Sequence, residues 1–211
     1  MSIPMGTWLS LLASILAVGV GLIRLKKLPL ALRLLVLFLA VVLVNNIIVL
    51  YWAFLNINNM WLFHFFTLVE YTSLSWILSY WQPRSFFQKG IRWSILIFAC
   101  IWLLAKFTFE NMDSYDSVTA TISHLLLIGY AALTLFELGQ TAGEKFIFDA
   151  RFWVSGAVLI YSTGSILWLA LGNVIITWPE PQMMIAWTIH WILDIFTNIL
   201  YMGGFLCSYR T

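Results

Sequence analysis

The fold is decided by residues 24–55, which read RLKKLPLALRLLVLFLAVVLVNNIIVLYWAFL. After Arg33 this stretch contains no charged residue. About 20 predominantly apolar residues are enough for an α-helix to cross the hydrocarbon core of a bilayer. The part that begins at Leu30 therefore predicts a transmembrane helix, and the basic residues just before it mark one side of the membrane.

The composition extends this interpretation to the whole chain. Of the 211 residues, 62% are hydrophobic and 9% are charged, whereas an average soluble domain has about 25% charged residues. We therefore expect most of the protein surface to contact the lipid bilayer. The net charge of +2 gives no reason to expect a nucleic-acid partner. The apolar runs predict seven transmembrane helices at residues 5–23, 30–55, 60–81, 91–107, 117–138, 150–171 and 183–207.

The prolines agree with this division of the chain. A proline interrupts the interior of a helix, and all five prolines lie at the ends of the predicted helices or between them: Pro4, Pro29, Pro83, Pro179 and Pro181. The connections are short. The sequence therefore predicts one all-α domain over residues 1–211, an integral membrane bundle of seven helices.

The basic residues predict the orientation of the bundle. With seven crossings, every Lys and Arg except Lys106 falls on one side, namely Arg24, Lys26, Lys27, Arg33, Arg84, Lys89, Arg92, Lys145, Arg151 and Arg210. Basic loops stay in the cytoplasm. We therefore expect an N-terminus outside, a cytoplasmic C-terminus and a multi-pass protein of the plasma (inner) membrane.

Two short segments suggest an internal repeat. Trp61-Leu-Phe-His64 opens the third helix, and Trp187-Thr-Ile-His190 lies early in the seventh. Helices 1–3 and 5–7 run in the same directions, which is the geometry of a parallel 3+1+3 repeat. The sequence is compatible with such a duplication.

Ionisable residues inside the membrane are the strongest functional signal. Each costs about 2.5–3.5 kcal/mol at a helix centre on insertion scales. His64, His124 and His190 lie roughly 6–11 Å below the outer end of their helices. Glu70 and Asp194 lie roughly 15 Å below it. Asn45 and Asn46 lie at the level of the histidines. These residues predict a ligand- or ion-binding pocket open to the extracytoplasmic side: His64, Glu70, His124, His190, Asp194, Asn45 and Asn46.

A structural interpretation competes with this one, because buried polar side chains commonly hydrogen-bond between membrane helices. If the residues converge, several chemistries are open. Three imidazoles with one open position form a catalytic zinc site, so His64, His124 and His190 are candidate metal ligands. Intramembrane His and carboxylate groups also serve proton relay or coupled transport, and a receptor pocket is a third option.

Known seven-helix families do not match the pattern. Opsins attach retinal through a lysine of their seventh helix, and the seventh helix here has none, so retinal is not expected. Intramembrane zinc hydrolases related to alkaline ceramidases and progestin-receptor-like proteins have two histidines four residues apart in the last helix. This chain has His190 and Asp194 at that spacing, so no roles are transferred.

The function expected from the sequence is transport of a small solute, coupled to an ion or proton. One alternative is an intramembrane zinc-dependent hydrolase, which leaves open whether the chain is an enzyme. The other is a ligand-sensing or accessory subunit, which allows a protein partner. In each case the ligand is a small molecule or an ion.

Overall fold

The computed structural model describes residues 4–207, with the side chains of residues 142–145 excepted. The chain folds into seven α-helices: α1 (Met5–Arg24), α2 (Leu30–Phe54), α3 (Met60–Tyr80), α4 (Ser85–Thr108), α5 (Ser117–Ala142), α6 (Ala150–Ile175) and α7 (Glu180–Cys207). Short 3₁₀ turns follow α1 and α5. Of the predicted basic residues, Arg210 and the Lys145 side chain lie outside the described residues.

Six of the helices are long and apolar enough to cross a membrane, namely α1, α2, α4, α5, α6 and α7. These six make the chain a helical, multi-pass membrane protein, which confirms the predicted class. The helix that does not meet this standard is α3, because it carries His64, Glu70 and several Ser and Thr residues. It is also rich in buried residues, so its polar side chains face protein.

Two helices begin earlier than their hydropathy predicts. α4 begins at Ser85 instead of residue 91, because its first turns are amphipathic and include Lys89. α7 begins at Glu180 instead of residue 183. Pro181 is tolerated there because the first turn of a helix has no intrahelical partner for its N–H groups, and an acidic residue is favourable at a helix N-terminus.

Six helices form a closed ring. Each helix of the series α1, α2, α3, α5, α6 and α7 packs against the next, and α7 packs against α1. α4 lies outside this ring, against α3 and α5. The most extensive contacts join α5 to α6 and α6 to α7, so the inward-facing side chains of α6 have neighbours on both sides.

The two ends of the bundle differ in charge. At one end, called the basic face, lie all the described Lys and Arg side chains except Lys106. At the other end, called the acidic face, the α4–α5 loop carries Glu110, Asp113 and Asp116. This loop contacts the α2–α3 loop, since the Asn58 amide donates to Oδ1 of Asp113 over 3.4 Å.

The basic half of the ring is filled by apolar side chains. Leu32, Leu35, Leu78, Val154 and Phe205 are almost completely buried there and belong to one hydrophobic core. α6 and α7 approach closely at this end. A Cβ added to Gly204 would lie 2.8 Å from Val154 Cγ2, so a larger residue would force the helices apart.

The acidic half is more open on one side of the ring. α3, α5 and α6 bury side chains along their whole length. In contrast, α1 buries none before Ala13, α2 none after Leu39 and α7 none before Thr197. On α2, the buried row that includes Leu39 continues at helical spacing with Asn46, which is partly accessible. The inner faces of these three helices therefore become accessible towards the acidic face.

Candidate functional site

A carboxylate and an imidazole meet inside the ring. Glu70 lies at the middle of α3 and His124 in the second turn of α5, and both residues are buried. Oε2 of Glu70 lies 3.6 Å from Nε2 of His124. This distance is within the range of an ion pair and is too long for a hydrogen bond, so the two groups face each other without a fixed proton between them.

Among the described residues, neither side chain of this pair makes a hydrogen bond. The ion-pair contact of the Glu70 carboxyl group is the one with His124. Nδ1 of His124 is buried and makes no hydrogen bond. A buried carboxylate is costly when no donor satisfies it. The pair therefore combines an acidic and a basic side chain in the interior without a hydrogen bond between them.

Aromatic rings extend the site from His124 to α7. The Tyr161 ring lies 5.8 Å from the His124 ring and 6.1 Å from the His190 ring, measured between centroids. Trp168 stacks on His190 at 6.3 Å and lies 4.6 Å from Trp187. Tyr161 thus lies between the two histidines, and the tryptophans lie on the acidic-face side of His190.

A second carboxylate lies one turn below His190. Asp194 accepts hydrogen bonds from the Ser10 hydroxyl of α1 and from Nδ2 of Asn198, the latter over 3.3 Å. Asn198 also donates to Oγ of Ser14 over 3.3 Å. Unlike Glu70, Asp194 therefore has donors supplied by the protein. It is positioned at the level where the inner faces of α1 and α7 become accessible.

The two carboxylates belong to one electrostatic environment. Glu70 faces His124, the Tyr161 ring connects His124 to His190, and Asp194 follows His190 by one helical turn. The described Lys and Arg side chains lie at the two faces, so none neutralises the cluster from inside. The arrangement is acidic and rich in hydrogen-bond acceptors, and we call it the central cluster: Glu70, His124, Tyr161, Ser165, His190 and Asp194.

His64 does not join the central cluster. Its Nε2 lies 2.8 Å from the carbonyl oxygen of Ser114 in the α4–α5 loop. Because a carbonyl oxygen only accepts, Nε2 carries the proton and donates it. Thr67, one turn further along α3, donates to Asp116 over 2.5 Å. His64 therefore holds the loop against α3, a structural role.

Asn45 and Asn46 lie on the accessible half of α2 and are partly exposed, and their side chains make no hydrogen bond with the central cluster.

The predicted metal ligands also do not assemble. Among the described residues, no group of three His, Cys, Asp or Glu side chains is positioned to hold a metal ion. This arrangement gives no support to a zinc site built from His64, His124 and His190.

The α4–α5 loop is firmly attached to the acidic face. Glu110 accepts hydrogen bonds from Lys106 (2.5 Å) and from the Thr119 hydroxyl (2.7 Å). Burial raises the pKa of Glu110, but the hydrogen bonds from Lys106 and Thr119 outweigh burial and hold the pKa below its ordinary value of 4.5. Burial, followed by the charge of Asp116, raises the pKa of Tyr115 to about 12, so Tyr115 stays neutral.

A separate cavity lies at the basic face. It has a volume of about 400 Å³ and lies among the ends of α2, α3 and α6. Asp149 caps α6 there and accepts from the Arg151 guanidinium over 2.6 Å. Burial alone would raise the pKa of Asp149. The hydrogen bonds from Arg151 outweigh burial and hold the pKa below its ordinary value. The apolar core lies between this cavity and the central cluster.

Several cluster residues were not predicted from the sequence. Ser10 and Ser14 are small hydroxyl residues in an apolar helix, and such residues are common in helix contacts, so they gave no signal. Tyr161 was missed because tyrosine is frequent in membrane helices. The run of Ser162, Thr163 and Ser165 beside it was a usable signal, since Ser165 is one turn from Tyr161 on the same face.

Comparison of the chain with protein-family models, with curated protein sequences and with solved structures found no match. The helices make the chain a multi-pass membrane protein. The central cluster is the feature that points to a function.

Proposed function

We propose that the chain is a proton-coupled membrane transporter of a small solute, with Glu70 and His124 as its proton-binding pair. The observation that carries this proposal is the 3.6 Å approach of two buried ionisable groups that have no other polar partner. Ionisable residues inside membrane bundles are characteristic of proton relays and transport pathways.

The pair supplies two protonation states with different charge. When Glu70 holds a proton, the pair is neutral and needs no counter-ion. When that proton leaves, an unneutralised negative charge remains in the interior, which is unfavourable without a cation. Proton release is therefore favoured when a positively charged group arrives, and this linkage is the basis of coupling.

The asymmetry of the ring supports access from one side. The inner faces of α1, α2 and α7 are partly accessible towards the acidic face, whereas apolar side chains fill the basic half. A proton or solute would then reach Asp194 and Glu70 from the acidic face. The positive-inside rule supports an extracytoplasmic assignment for this face and an N-terminus outside, and we propose the plasma (inner) membrane as the location of the chain.

The order of helices in the ring supports a duplicated architecture. A parallel 3+1+3 repeat would relate α1 to α5, α2 to α6 and α3 to α7. Under that relation the contact of α3 with α5 corresponds to the contact of α7 with α1, and both exist. Transport by rocking of two such halves would open the apolar basic half.

The test is a pH step applied to the purified protein in liposomes on a solid-supported membrane. Proton entry to a site inside the bilayer produces a transient charge displacement even when no solute is present. We expect this signal from the wild type and its loss in Glu70→Gln.

Glu137→Gln is the matched control, because Glu137 and Glu70 are equally buried at 9% exposure and Glu137 contacts Arg84 instead of the cluster. It should retain the signal. A wild-type protein without charge displacement, or a Glu70→Gln protein with a normal one, would contradict the proposal.

A further inference from the structure

We propose that the solute is a small primary amine with an apolar substituent, whose ammonium group binds between Glu70 and His124 in place of the proton. This inference rests on the proposed function and assigns the chemical class of its substrate. The supporting observation is that polar atoms of the central cluster lack hydrogen-bond partners.

The cluster has polar atoms that lack hydrogen-bond partners. The Glu70 carboxylate lies 3.6 Å from His124, beyond hydrogen-bond distance, and the buried Nδ1 atoms of His124 and His190 make no hydrogen bond. Oγ of Ser165 is also buried, at 2% exposure, one turn from Tyr161 on the same face of α6. A primary ammonium group has three donors and no acceptor. It is therefore complementary to a site of this kind.

The charge of the cluster selects the same class. Glu70 and Asp194 are acidic, and the basic side chains remain at the faces of the bundle. An anionic solute would meet uncompensated negative charge, whereas an ammonium ion would neutralise Glu70. The cluster provides no group of three ligands for a metal ion, which favours an organic cation.

Aromatic rings supply the surface for the substituent. Beyond His124, the rings of Tyr161, Trp168 and Trp187 form a continuous row that includes His190. Tyrosine and tryptophan faces attract cations and bury apolar groups. An ammonium head at Glu70 would place an apolar substituent along this row, towards the accessible side of the ring.

Proton and amine would compete for one carboxylate. The titratable groups that face the site from the packed helices are Glu70 of α3, His124 of α5, Tyr161 of α6, and His190, Asp194 and Tyr201 of α7, whereas Tyr71 and Tyr130 contact each other beside Ser94 of α4. α1 presents the hydroxyls of Ser10 and Ser14. Because both cations would occupy the same position, amine binding should weaken on acidification, and each bound amine should release a proton.

The experiment is calorimetric binding of 2-phenylethylamine to the purified protein in detergent, compared with 2-phenylethanol and with the N,N,N-trimethyl derivative. The alcohol has nearly the same shape without the charge, and the trimethyl derivative keeps the charge without N–H donors. We expect the alcohol to bind about 10- to 100-fold more weakly than the amine, because it loses a charge-assisted hydrogen bond. The trimethyl derivative should also bind more weakly.

Glu70→Gln should lose amine binding and Glu137→Gln should keep it. If Glu70→Gln does not fold, the wild type still decides, because its amine affinity must fall on acidification. Equal affinities for amine and alcohol, or no binding of the amine, would overturn the inference. If amine binding fails while the pH-step signal persists, the substrate class is wrong and proton coupling stands. If both fail, the proposed function falls as well.

Discussion

Oε2 of Glu70 lies 3.6 Å from Nε2 of His124, and these two atoms belong to helices α3 and α5 that are neighbours in the ring. His124 is 3% exposed and its second ring nitrogen has no partner. Asp194, in contrast, is held by Ser10 and Asn198. Of the two carboxylates of the central cluster, Asp194 therefore has hydrogen-bond donors supplied by the protein, whereas Glu70 has none among the described residues.

We expect His124 to act in proton binding and His64 to act in stability. His124→Asn removes the imidazole that faces Glu70, so we expect a reduced charge displacement after a pH step with little loss of thermal stability. His64→Asn removes the donor to Ser114, and it should lower the unfolding temperature while leaving the displacement unchanged. Because both residues are buried histidines, each is the control for the other. Identical behaviour of the two variants would contradict this division.

Chemical labelling tests the asymmetry of the ring. In a protein with Cys100 and Cys207 changed to serine, Asn46→Cys should react with a membrane-impermeant maleimide added from the acidic-face side. Leu35→Cys should not react, because Leu35 lies in the closed basic half at 0% exposure. Mass spectrometry gives the labelled fraction. Equal labelling at the two positions would mean that the ring is not closed at the basic end.

The packing of α1 on α7 depends on Gly6. A Cβ at this position would lie 2.1 Å from Cε3 of Trp191, so Gly6→Ala should separate the helices at a cost of about 1–3 kcal/mol. Gly19→Ala is the control because nothing lies within 4 Å of its Cβ position. Thermal unfolding should therefore show a lower midpoint for Gly6→Ala, and an unchanged midpoint would argue against close contact.

The Lys106–Glu110 pair predicts a pH dependence of stability. Because folding lowers the pKa of Glu110, the stabilisation is complete above its ordinary value of 4.5 and is lost as the pH falls through the lower folded value. Glu110→Gln should destabilise the protein at neutral pH by about 3 kcal/mol and reduce the loss on acidification. Unfolding midpoints recorded against pH measure both effects. Parallel curves for the wild type and the variant would contradict this role.

The helices were predictable because bilayer crossing places strong demands on composition. Long apolar runs and the positions of the prolines gave the order of the helices, and the errors were confined to polar ends such as Ser85. α3 was harder to classify, because a helix buried by its neighbours can carry polar residues that a lipid-facing helix cannot. The apolar runs therefore predicted seven crossings, of which six are made by helices long and apolar enough to span a membrane by themselves.

The site was only partly predictable because depth along a helix does not give direction around it. His64 and His190 share a depth and a Trp-x-x-His motif, yet His64 faces the α4–α5 loop and His190 faces Tyr161. That difference arises from contacts with residues far away in sequence, such as Ser114. The spacing of His190, Asp194 and Asn198 did predict one face of α7, because helical periodicity is a local property.

The most direct test of the central claim is infrared difference spectroscopy of the protein between acidic and neutral pH. We predict that the carbonyl band of protonated carboxyl groups contains a component that disappears as the pH rises, that is missing from the spectrum of Glu70→Gln and that is retained in Glu137→Gln. Addition of 2-phenylethylamine at constant pH should also remove it. A difference spectrum of Glu70→Gln that is identical to that of the wild type would contradict the claim that Glu70 is the proton-binding group of the central cluster.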